Sequence, residues 1–104
     1  MSASTAPLAQ AASLTATPPE AAAKTYFFLT GESAYDLLPR VLIPFTKLGL
    51  VPYRVHASTE QGAGEEMSIE LRFFGLTAAA SETLAARCRA IIGIRTVMTV
   101  AEAG

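Results

Sequence analysis

At 104 residues the chain is short enough for one domain, and with a net charge of −1 and a pI of about 5.7 it has no basic field to gather phosphates or anionic lipid, so neither nucleic acid nor a membrane is expected as a partner. It is 51% hydrophobic and only 16% charged, against about 25% charged in an average domain, so it carries more apolar surface than a small monomer readily hides and a homodimer is expected. The single cysteine, Cys88, excludes an internal disulfide, no stretch reaches the ~18 apolar residues of a membrane span, and the N-terminus has no basic leader region, which makes the cytoplasm the plain reading.

Residues 1–23 consist largely of Ala, Ser, Thr and Pro, with Leu8 and Leu14 isolated among them and Pro18-Pro19 near the end. That composition predicts a flexible arm, followed by a domain over residues 24–104. Lys24–Thr30 is aromatic and β-branched and apolar on both faces over Tyr26–Leu29, the pattern of a central strand, ending at Gly31. Leu37, Leu38, Val41, Leu42, Phe45 and Leu48 then recur at helical spacing, predicting a helix over Asp36–Leu48 with Asp36 as N-cap and Gly49 just past the end. Pro39 falls in its first turn, where a missing N–H costs little, but Pro44 is interior and predicts a kink near Arg40–Pro44.

Leu50–Ser58 alternates, with Val51, Tyr53, Val55 and Ala57 on one side and Arg54, His56 and Ser58 on the other, and Pro52 near its start marks it as an edge strand. A polar, glycine-bearing link over Thr59–Glu66 predicts a mobile hairpin loop. Met67–Phe74 alternates again, placing Met67, Ile69, Leu71 and Phe73 inward. A second helix is predicted over Ser81–Ile92, burying Leu84, Ala85, Cys88, Ile91 and Ile92 and stopping at Gly93, and Ile94–Val100 makes a last strand. The order β-α-β-β-α-β is that of the split-βαβ, ferredoxin-like arrangement: an α+β sandwich with a four-stranded antiparallel sheet in the order 4-1-3-2 and two helices on one face.

Fold alone does not choose a function. His56 is the only histidine and Cys88 the only cysteine, so no metal-ligand cluster can be assembled, and Gly31–Asp36 offers no pair of soft ligands. His56 is expected on the solvated outer sheet face and Cys88 as a buried thiol on the apolar stripe of the second helix. A nucleophile needs a base and a carboxylate mechanism a sheltered pair, and neither is apparent, so no catalytic residue, no metal and no cofactor is expected. Arg54, Glu70, Arg72 and Arg95 should project from the outer face of the sheet as solvated charges. An RNA platform on that face would need outward aromatics on the third strand, where the regular apolar positions point inward.

The stretch from Asp36 to Gly49 resembles the first helix of ACT domains, notably those of the small regulatory subunits of acetolactate synthase. Laid in register on Gly49, Arg40, Phe45 and the Leu37-Leu38 pair match the Arg, Phe and Val-Leu of that helix, while Asp36 and Val51 replace a Gly and an Asn. The resemblance implies a non-catalytic regulatory subunit acting on an amino-acid biosynthetic enzyme, with the catalytic large subunit of acetolactate synthase in branched-chain synthesis as the expected partner. It implies an amino-acid effector site in the first strand–helix turn, at Gly31, Glu32, Ser33, Ala34, Tyr35 and Asp36, shared across a dimer. The alternative it leaves is a stand-alone homodimeric amino-acid sensor. A capping Asp36 would occupy helix N–H donors and repel an effector's carboxylate, unless Asp36 or Glu32 receives the ammonium group instead.

Overall fold

A computed structural model describes residues 21–59 and 65–103. The six expected elements occur in the expected order: β1 (Lys24–Glu32), α1 (Leu37–Thr46), β2 (Arg54–Thr59), β3 (Glu66–Phe74), α2 (Ala78–Arg89) and β4 (Ile94–Glu102). They form one antiparallel sheet in the order β2-β3-β1-β4, the expected order read from its other edge. Of the arm expected over residues 1–23, all but 21–23 lie outside the described residues. Ala22 N–H donates to the Leu76 carbonyl and Ala23 N–H to that of Glu102, so the chain is tied to the sheet before β1 begins. Residues 60–64 of the expected hairpin loop are also outside the described set.

Alternation decides which side chains meet the helices. Thr25, Phe27 and Leu29 of β1 and Ile69, Leu71 and Phe73 of β3 are buried on one face, against Leu37, Val41 and Phe45 of α1 and Leu84, Ala85 and Cys88 of α2. Three phenylalanines form the centre of that core. Phe27 meets Phe45 and Phe73 edge-on at 5.1 and 5.8 Å between ring centroids, and Phe45 stacks on Phe73 at 4.8 Å. Each such ring contributes about 1.5–3 kcal/mol by leaving water, and the edge-on geometry adds a fraction more.

Several boundaries differ from the sequence reading, each for a local reason. β1 does not end at Gly31 but runs through it to Glu32, with its pairing to β4 shifting between Thr30 and Gly31. α1 is shorter at its C-terminal end than expected. Gly49, at φ +72°, lets its own N–H reach the Thr46 carbonyl and the Leu50 N–H reach that of Phe45, the paired closure of a Schellman motif. Pro44 lies inside α1, which spans it without a break. α2 begins three residues early because Thr77 caps it, its hydroxyl accepting from Ala80 N–H at 3.1 Å. It also ends at Arg89, which throws Ile92 off the apolar stripe and into solvent. β2 starts only after Pro52, and all six of its residues are exposed: Val55 and Ala57 point to the helix side of the sheet, but neither α1 nor α2 extends over that edge.

Candidate functional site

The turn from β1 into α1 holds all six candidate residues, though not as one loop. Gly31 and Glu32 belong to the strand, Ser33 to Asp36 make the turn, and Leu37 starts the helix. Gly31 is buried against the turn before β4, where a Cβ would stand 2.5 Å from the Gly93 carbonyl oxygen. The next residue exploits that closeness: Glu32 N–H donates to the same oxygen at 2.8 Å. Ser33 N–H donates to the Glu65 carbonyl at 3.0 Å, and Leu37 N–H to that of Ala34 at 3.1 Å. Pro39 has no N–H to offer, so little of the donor array of a bare helix N-terminus is left in this one.

Asp36 corrects an expectation. It precedes the first residue of α1, but its side chain accepts no capping bond and its backbone (φ −104°, ψ 4°) is not in the extended conformation of an N-cap. Its carboxylate instead accepts from Arg40, one turn on, at 3.1 Å to Nε. Arg40 is held from a second side by its Nη1 donating to the Ile92 carbonyl at 2.7 Å. The guanidinium therefore bridges the N-terminal turn of α1 to the turn after α2, and it neutralises the carboxylate that was expected to repel an effector. Glu32 and Tyr35 project into solvent, while Ala34 packs on the edge of the core.

Gly93, Arg40, Ile92 and Glu65 thus surround the turn that holds the six candidate residues, all of which come from one segment. Only Arg40 carried a signal in the sequence, as the arginine of the helix resemblance, and Gly93 was legible as a helix stop without any hint that it meets Gly31. Elsewhere the expected placements hold. His56 lies on the outer sheet face opposite Glu70, and Cys88 is fully buried with its thiol pushed up to about 11 by desolvation. Glu70 pairs with Arg72 on its own strand, and Arg95 with Glu66 at 3.6 Å. Among the described residues there is no group of three or more His, Cys, Asp or Glu placed to hold a metal, and no helix is long and apolar enough to cross a membrane.

The chain has the ferredoxin-like βαββαβ fold of ACT domains. It is similar to the crystal structure of the ACT domain from the GTP pyrophosphokinase of Chlorobium tepidum, with a TM-score of 0.60 and 14% identity over 74% of this chain and 96% of that one. The solution structure of the ACT domain from the same enzyme gives a TM-score of 0.59, again at 14% identity, over 74% of this chain and 84% of that one. Comparison of the sequence with protein-family models and with curated proteins returns no match.

Proposed function

We propose that the chain is a non-catalytic ACT-like regulatory subunit, cytoplasmic and homodimeric, that binds an amino-acid effector at the β1–α1 turn and modulates an amino-acid biosynthetic enzyme, acetolactate synthase first among the candidates. The observation that carries this reading is Arg40, the residue matched to the ACT helix arginine, spanning from Asp36 to the Ile92 carbonyl at the end of β1 where Gly31 and Gly93 touch. An effector that displaced either contact would shift α1 relative to the turn before β4, which is the differential contact a population shift requires. In this reading Glu32, exposed while Asp36 is paired, would receive the effector's ammonium group, and Arg40 its carboxylate. The solved ACT domain of similar fold comes from an enzyme, which is consistent with such a domain serving a catalytic partner.

The test is co-expression with the acetolactate synthase large subunit of the same source, followed by size-exclusion chromatography and an activity assay. Co-elution with altered turnover is expected. Separate elution with unchanged activity rejects this partner, and a thermal-shift response to a single amino acid would then favour the stand-alone sensor.

A further inference from the structure

Strand alternation sends every second side chain of the sheet away from the helices. On that outer face the register sets Tyr26 beside Val100, Phe28 beside Met98 and Lys24 beside Phe74. Phe74, Met98 and Val100 are 62%, 58% and 41% exposed, at positions where a one-sided antiparallel sheet ordinarily carries polar residues. Tyr53 stacks on Phe74 at 4.1 Å between centroids, and the Arg72 guanidinium lies 4.7 Å from the centre of the Tyr26 ring. Aromatic residues, methionine and arginine are the types enriched in the cores of protein interfaces. Charges of both signs surround this band: Glu70 with Arg72 and Glu66 with Arg95 are paired within the chain, while Arg54 and His56 stand on the β2 edge and Glu102, whose carboxylate accepts from the Tyr26 hydroxyl at 2.9 Å, lies at the end of β4 on the opposite edge.

We propose that this face is the homodimer interface, with two copies packed sheet on sheet about a two-fold axis running along the strands. The area suffices. Four strands of up to nine residues cover about 19 Å by about 30 Å, so two copies bury roughly 1,000 Å², the lower bound for a stable association. Charge selects the axis. A two-fold along the strands lays β2 of one copy over β4 of the other, with Arg54 level with Val100 and two residues, about 7 Å along the strand, from Glu102 of the second copy, twice by symmetry. A two-fold across the strands would instead set one basic β2 edge on the other. Among the described residues Arg54 has no ion-pair partner within its own chain. The helix side also exposes apolar residues, Ile43 and Ile92 around Arg40, with Leu48 after α1 and Val55 on the β2 edge, but none of these is an aromatic ring. This placement deepens the homodimer of the proposed function and rests on that reading. It does not depend on effector binding.

Sedimentation equilibrium of the full chain, from about 1 µM to about 1 mM, tests it. The natural protein and Ile92→Glu should reach twice the 10.9 kDa chain mass, whereas Phe74→Glu and Met98→Glu should stay at one. Arg54→Glu should weaken the dimer about tenfold, and Arg54→Glu combined with Glu102→Arg should recover it. That exchange uses exposed side chains and reads the same interface if an apolar variant fails to fold. A natural protein that stays monomeric overturns both this interface and the homodimer. A dimer that survives Phe74→Glu, Met98→Glu and Arg54→Glu overturns this face alone, leaving the homodimer and the effector site, read separately by thermal shift, intact.

Discussion

A methyl group on Gly31 would meet the Gly93 carbonyl oxygen at 2.5 Å and Leu37 Cδ2 at 3.0 Å, and backbone cannot step aside as a flexible side chain can. Gly31→Ala should therefore cost about 2–3 kcal/mol in urea unfolding, because β1 must part from the turn before β4 and lose the Glu32 N–H bond across it. Thr25 presents the opposite case. Its hydroxyl is buried with no hydrogen-bond partner among the described residues, and the residue is 1% exposed. Thr25→Val keeps the shape and removes the stranded polar group, so a gain of about 1 kcal/mol is expected from the same measurement. Burial raises the Cys88 thiol to about 11 from an ordinary 9.0, so between those values the unfolded chain has released a proton that the native chain still holds. Its contribution is thus complete below pH 9 and declines as pH climbs to 11; the urea midpoint should fall over that window, and Cys88→Ala should flatten this component of the fall.

At the level of elements, the ends of the helices are where local chemistry and packing disagree most. Thr77 supplies the one side-chain cap seen at a helix start among the described residues, and Thr77→Ala should lower stability by about 1 kcal/mol with amide exchange accelerating first at Ala80. α1 starts without a side-chain cap and contains Pro44, so its place is secured by Leu37, Val41 and Phe45 in the core rather than by its own hydrogen bonds. The Arg40 bridge adds a tether from its first turn to the end of α2. Among the described residues β2 depends on one neighbour only, pairing with β3 along six residues and exposing both faces. It is the strand with least to lose by opening.

For the whole molecule, sheet and helices enclose one core on one side, while the other side leaves aromatic and aliphatic residues in water. If two such faces close on each other, unfolding also separates two chains. Stability then rises with protein concentration by up to about 1.4 kcal/mol per tenfold, and thermal midpoints taken over two decades of concentration should climb steadily. A midpoint independent of concentration would mean that the face stays wet.

The sequence by itself determined what repeats over short distances. Period-two alternation named Ile69, Leu71 and Phe73 as inward, helical spacing named Val41, Phe45, Leu84 and Cys88, and Gly49 marked the close of α1. Pro52 even placed its strand at a sheet edge, because a missing N–H is a local fact with a topological consequence. Tertiary structure alone decided the meeting of Gly31 with Gly93, the reach of Arg40 to Ile92, the bare inner side of Val55 and Ala57, and the merging of Tyr53, Phe74, Met98 and Val100 near one apolar band. These residues lie tens of positions apart, and strand register and helix length bring them together. No window of sequence short enough to show a period contains that information.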